Sequence, residues 1–167
     1  MDFARRMFLR RTVAPAKPEP LPMPPLRPPW SPADDARFAE LCTQCGACTA
    51  ACPRDLIRAG PDGLPELSFD QQGCDLCGAC LRACEPGALS TREADPPLQA
   101  RARLTDGCLT RHGIECRICG DTCDSGALRF VPGIGTVSRA VLDPQLCVGC
   151  GACAPACPVR AISVRRG

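Results

Sequence analysis

Sixteen cysteines in 167 residues, set out as a repeat, constrain this chain more than any other feature. The first run is Cys42, Cys45, Cys48 and Cys52, and the second is Cys74, Cys77, Cys80 and Cys84. The fourth is Cys147, Cys150, Cys153 and Cys157, and all three read C-x2-C-x2-C-x3-C. The third, Cys108, Cys116, Cys119 and Cys123, places seven residues between its first two cysteines. Together the runs use all 16 cysteines, and an apolar position follows each fourth cysteine: Leu56-Ile57, Leu89, Leu128 and Ile162. A period of this kind outranks local propensity in deciding the fold.

The spacing points to iron–sulfur clusters. A cubane [4Fe–4S] cluster needs four thiolates at the corners of a tetrahedron. The C-x2-C-x2-C-x3-C run supplies three of them, and its last cysteine serves the other cluster of a pair. Cys48 and Cys52 are i and i+4, one turn apart on one face if the segment is helical, so one short helix can touch two clusters. The expected sets are Cys42, Cys45, Cys48 and Cys84; Cys74, Cys77, Cys80 and Cys52; Cys108, Cys116, Cys119 and Cys157; and Cys147, Cys150, Cys153 and Cys123. The simpler assignment, each run on its own cluster, uses the same residues and stays open. Gly46, Gly78 and Gly151 follow the second cysteine in three runs and count as cofactor-binding positions. They let the backbone come close and turn N–H groups toward sulfur. Arg117 stands there in the third run, whose loop must differ. Zinc sites pair two well-separated C-x2-C knuckles and carry no triple. Disulfide frameworks belong to secreted chains, and no signal peptide is legible here.

Composition agrees. Six aromatic residues and one histidine give too little for an ordinary apolar core, or for His-based metal sites and catalysis. Small domains with thin cores need a staple, and metal is one. No run approaches the roughly 20 apolar residues of a membrane span. Residues 1–32 carry a balance of +4 and the remainder −2. Arg5, Arg6, Arg10 and Arg11 are a weak footprint for nucleic acid, and the body offers no aromatic stacking platform, so nucleic acid is not expected as a partner. No nucleotide loop, acid/base pair or activated nucleophile is legible, and the chain is not expected to be an enzyme.

Nine prolines between Pro15 and Pro32 predict an extended arm. Residues 33–41 predict a short helix, with Ser31 ahead of it. Gly60-Pro61-Asp62-Gly63 and Pro132-Gly133-Ile134-Gly135, each between apolar stretches, predict two hairpins. Ala94 to Pro97 marks the expected boundary. The fold class is therefore α+β: a basic, Pro-rich arm over 1–32, then two tandem bacterial-type dicluster ferredoxin-like domains over 33–97 and 98–167, holding four [4Fe–4S] clusters. His112 is expected to be a solvated loop residue. Trp30 reads equally as a partner anchor or as a plug over the first domain.

Over nearly its whole length the chain resembles the NapF family of ferredoxin-type proteins of periplasmic nitrate reductase systems. The resemblance rests on Arg5-Arg6, on Arg27-Pro28-Pro29-Trp30-Ser31, on the four runs in order, and most specifically on the third, with Glu115, Cys116, Arg117, Cys119, Asp121 and Cys123. It implies a cytoplasmic accessory protein that transiently meets the precursor of the catalytic subunit of periplasmic nitrate reductase. There it assists maturation, by insertion or reduction of a [4Fe–4S] cluster, before export. An electron-transfer relay and a purely structural role for the clusters are the competing readings. Arg5-Arg6-Met7-Phe8-Leu9-Arg10 is similar to a twin-arginine export motif, but no apolar run follows, so the motif is expected not to export the chain.

Overall fold

The computed structural model describes residues 24–91 and 97–167. The arginines of the tail, the first prolines of the arm and most of the expected boundary at Ala94 to Pro97 lie outside the described residues.

The first half begins with helix α1 (Asp35–Leu41). Asp34, not Ser31, caps it, accepting the Ala36 N–H at 3.0 Å. The Ser31 hydroxyl instead donates to the Pro28 carbonyl at 2.8 Å. After the first run's single-turn helix α2 (Ala47–Ala50) comes the expected hairpin, β1 (Ile57–Ala59) and β2 (Pro65–Leu67), paired Ile57 to Leu67. Its turn closes through Gly60 N–H to Leu64 O at 2.8 Å. Helix α3 (Ala79–Arg82) carries the second run.

The second half opens with β3 (Ala100–Leu104), which pairs antiparallel with the last strand, β6 (Ile162–Arg166). Between them lie a 3-10 turn at Leu109–His112, helix α4 (Ile118–Asp121), the hairpin β4 (Leu128–Gly133) with β5 (Thr136–Leu142), and helix α5 (Cys153–Ala156). The hairpin register slips between Val131 and Gly133, where Pro132 has no N–H to offer the ladder.

Two small cores result. Phe38, Leu56, Ile57, Leu64, Leu67, Leu89 and Leu98 fill the first together with Cys80. Ala102, Leu128 and Ile162 fill the second together with Cys119 and Cys153. The apolar positions five residues after the fourth cysteines are thus core residues: Ile57, Leu89, Leu128 and Ile162. Full burial of a side chain such as Phe38 contributes about 1.5–3 kcal/mol. The second core buries only two leucine-sized side chains, Leu128 and Ile162, beside its cysteines, and partly buried Leu104, Phe130 and Leu142 pack against them.

The end of the proline-rich stretch is packed onto the first half. Leu67 N–H donates to Leu26 O and Ser90 N–H to Trp30 O, at 2.7 and 2.8 Å, and Trp30 N–H donates to Pro97 O at 2.7 Å. Pro28 and Pro29 are fully buried. Arg27 is buried too, with its guanidinium 2.6 Å from Asp62 and 3.4 Å from Asp35.

Candidate metal centres

Each of the two halves contains two cavities ringed by thiols. Cys42, Cys45 and Cys48 of the first run share one with Cys84 of the second. Cys74, Cys77 and Cys80 share the next with Cys52. In the second half Cys108, Cys116 and Cys119 meet Cys157, while Cys147, Cys150 and Cys153 meet Cys123. The fourth cysteine of every run therefore faces the cavity of its neighbour.

The route to this exchange differs from the one the spacing suggested. Helices α2 to α5 are one turn long, too short to stand alone. Cys52, Cys84 and Cys123 come after the last helical residue, and Cys157 is the C-cap of α5 in extended conformation. The exchange comes from the chain leaving the helix, not from two cysteines sharing a helical face. A repeated turn then follows. The residues three beyond the fourth cysteines, Asp55, Gly87, Gly126 and Arg160, all have positive φ, and each N–H returns to the cysteine carbonyl at 2.9–3.2 Å. Glycine at two of these places was the only sequence trace of the turn.

The loops turn donors toward sulfur. Leu76 N–H reaches Cys74 Sγ at 3.4 Å, Leu89 N–H reaches Cys84 Sγ at 3.4 Å, Ala161 N–H reaches Cys157 Sγ at 3.2 Å and Ala102 N–H reaches Cys147 Sγ at 3.5 Å. Gly46 and Gly78 enter their helices at φ 74° and 73°, and Gly151 stands at 75°. Arg117, at their place in the third run, has φ −127°, so that loop takes another path. Its side chain shows how the path is held. Arg117 donates to Glu115 at 2.9 Å and to the Ser138 hydroxyl at 2.8 Å, and lies 5.7 Å from the Phe130 ring centre. Glu115 in turn accepts the Ser138 N–H at 3.1 Å. The Glu115–Arg117 pair thus ties the long loop to β5, a role not visible in the spacing. Thr110, also buried, accepts the Ala140 N–H at 3.2 Å and lies 3.4 Å from Cys108 Sγ. His112 is exposed and bonded to the Asp106 carbonyl at 2.9 Å. Trp30, with φ 65°, lines the second cavity beside Cys52, Cys74, Cys77 and Cys80.

Burial shapes the thiols. It pushes Cys80 and Cys153 up to about 12 and Cys119 up to about 11, and it raises Cys48, so the third thiol of every run resists ionisation. Cys45 is exposed, and the N–H of Ala47 followed by the Thr43 hydroxyl lowers it. For Cys123 burial pulls upward, but the Ser125 hydroxyl and the N–H of Leu128 bring the balance down. A metal-bound thiol is deprotonated outright, so bound iron would offset the burial that holds these sulfurs neutral. The sulfurs ring cavities rather than meet at points. Among the described residues no group of three or more His, Cys, Asp or Glu is placed to hold one metal ion. Zinc would draw four donors to within ~2.3 Å of a single centre. The donor sets fit a polynuclear iron–sulfur group.

Comparison with known proteins agrees. A family model for the 4Fe-4S dicluster domain matches residues 41–88, and one for the 4Fe-4S binding domain matches 140–163. The long third run falls outside both. The ferredoxin-type protein NapF of Escherichia coli strain K12 is 38% identical over 138 residues, which is 83% of each chain. That of Haemophilus influenzae is 39% identical over 139 residues, covering 83% of this chain and 78% of its own. The chain belongs to the NapF family of ferredoxin-type proteins. As a NapF-family member it is an iron–sulfur protein of the 4Fe–4S ferredoxin type, with its two matched regions in tandem. A more distant relative is the ferredoxin-type protein NapG of H. influenzae, 28% identical over 162 residues, covering 84% of this chain and 58% of the relative. Among the described residues no helix is long and apolar enough to cross a membrane.

Proposed function

We propose that the chain is a four-cluster accessory protein of the periplasmic nitrate reductase system. It acts in the cytoplasm on the precursor of the catalytic subunit and assists insertion or reduction of that subunit's [4Fe–4S] cluster before export. The observation that carries the cluster part is the set of four cavities, each ringed by four cysteines drawn from two runs. Kinship with NapF proteins supports the partner. The sixteen cysteines act as ligands, Gly46, Gly78 and Gly151 shape the loops around the clusters, and the protein is not itself an enzyme. Residues 1–32 form the arm, 33–97 the first dicluster domain and 98–167 the second, with residues 26–31 of the arm seated on the first domain. The remainder of the arm, with Arg5, Arg6, Arg10 and Arg11, makes a transient, salt-sensitive contact with the partner, since exposed charges mainly set association rate.

The test has two parts. Anaerobically purified protein is assayed for iron, acid-labile sulfide and zinc; four clusters require about 16 iron and 16 sulfide per chain. Cells lacking the protein are then complemented with wild type or with third-run cysteine variants, and the cluster content of the reductase precursor is measured. An electron relay is the second reading, favoured by a hydrogen bond between Cys74 and Cys150 that joins the two halves. A reductase that assembles fully without the protein, yet receives no electrons, would decide for the relay.

A further inference from the structure

The two halves touch through the candidate ligands themselves. The Cys74 N–H, whose counterparts at Cys42 and Cys108 donate to the nearby carbonyls of Phe38 and Thr105, donates instead across the interface to the Cys150 carbonyl at 2.7 Å. The flanking residues leave no gap. A Cβ on Gly73 would lie 2.6 Å from the Cα of Ala152, and the Phe69 ring fills the space that a Cβ on Gly151 would need. Cys74 lines the second cavity and Cys150 the fourth.

We propose that this contact is an electron bridge, which makes the four cysteine sets one conductor in the order first, second, fourth, third, rather than two independent pairs. The proposal rests on the reading that the sets hold [4Fe–4S] clusters, but not on the identity of the partner.

The order follows from connectivity. In the first half, Cys48 and Cys52 join the first and second cavities along one short stretch of chain, as do Cys80 and Cys84. In the second half, Cys153 and Cys157 join the fourth to the third, as do Cys119 and Cys123. From the Sγ of Cys74 the path runs through Cβ, Cα and N, across the hydrogen bond to the carbonyl of Cys150, and on through Cα and Cβ to its Sγ. No van der Waals gap interrupts it. In the bridging step one electron leaves a reduced cluster held by the second set and reduces an oxidised cluster held by the fourth. No bond is made or broken and no proton moves. A soluble one-electron reductant supplies the electron at one end, and a one-electron acceptor removes it at the other. By this connectivity the ends are the first set and the odd third set, whose loop carries the exposed Ile114 and Ile118.

The experiment uses full-length holoprotein with its iron counted. Dithionite-reduced wild type and Gly73→Val are compared by electron paramagnetic resonance at two microwave frequencies, since a splitting constant in field marks spin–spin interaction. The φ of Gly73 lies outside the left-handed region, so valine there acts as a wedge between the halves. The expected result is that part of the splitting is lost in Gly73→Val while iron content and the remaining splitting are kept. In freeze-quenched samples given less than one electron per chain, redistribution between the halves should also slow. Should the wedge variant lose iron, Phe69→Leu loosens the same seam without a neighbouring cysteine and should show the same loss. Full iron with identical splitting and redistribution in wild type and variant overturns the bridge. A wild type without iron overturns the cluster reading, and the bridge with it.

Discussion

Replacing Arg27 with methionine keeps the aliphatic stem but removes the charge that pins the arm to the first half. The Arg27 side chain is 5% exposed, yet three carboxylates surround it: Asp62 at 2.6 Å, Asp35 at 3.4 Å and Glu66 at 3.7 Å. Its guanidinium also lies 5.7 Å from the Phe38 ring centre. The bond to Asp62 is short and charge-assisted, worth about 1.5–3 kcal/mol. The contact with Phe38 adds about 0.5–1 kcal/mol. Against this, one guanidinium nitrogen, Nη1, is buried without a hydrogen-bond partner, and its removal relieves a desolvated donor. The carboxylates are partly exposed and can turn to water, so the cost stays below the roughly 3–5 kcal/mol of breaking a fully buried pair. The net expectation is a loss of about 2 kcal/mol, or about 8–16 °C in melting temperature if the first half unfolds as its own unit. It is about half that if the whole chain melts together. The assay is anaerobic loss of the cluster absorbance with temperature. Arg27 holds the Asp62 carboxyl below its usual range, chiefly through their hydrogen bond. That stabilisation is present above the unfolded-state value and is lost only as pH falls through the depressed one. The difference between the two proteins should therefore be flat from about pH 6 to 8. A variant that melts with the wild type would refute the claim that these ion pairs hold the arm in place.

Cys84→Ala should disturb the spectrum of the first cluster, and Cys52→Ala that of the second; changes confined to each residue's own run would refute the exchanged ligand sets. Trp30→Ala should hasten bleaching of the second cluster in air while leaving the others at their wild-type rates, which cluster-resolved spectra would check. The four proposed clusters, at about −2 each, would turn the formal +2 into about −6, so the holoprotein should bind anion exchangers and the apoprotein should not. Deleting residues 1–23 should leave iron content unchanged and slow association with the reductase precursor; iron loss would mean the deleted part belongs to the fold.

The cysteine spacing made the ferredoxin-like plan legible because four thiols must surround a cluster whatever the rest of the chain does. Two hairpins were legible from Gly60 to Gly63 and Pro132 to Gly135, since those residues suit turns. Prolines predicted an extended arm because they cannot join a ladder, and the same missing N–H lets Pro28 and Pro29 be buried with no donor left unsatisfied. Trp30 could be an anchor or a plug in sequence; only the fold puts it over the second cavity. The exchange of the fourth cysteines was expected by geometry, yet the helical face invoked for it does not exist, because one-turn helices end before those cysteines are reached. Glu115 and Arg117 stood out only as neighbours of Cys116, and nothing in one dimension pointed to Ser138 as the partner they share.

Because every cavity borrows one thiol from the other run of its half, no cavity can be completed from one run alone. A nascent chain that has exposed only Cys42 to Cys52 offers the first cavity three thiols and keeps the remaining one idle. The second cavity has its four thiols once Cys80 emerges and the first once Cys84 does, and the fourth and third wait in the same way for Cys153 and Cys157. The weave therefore ties every cavity to chain from two runs, so a chain that stops after one run of a half leaves three thiols without their fourth.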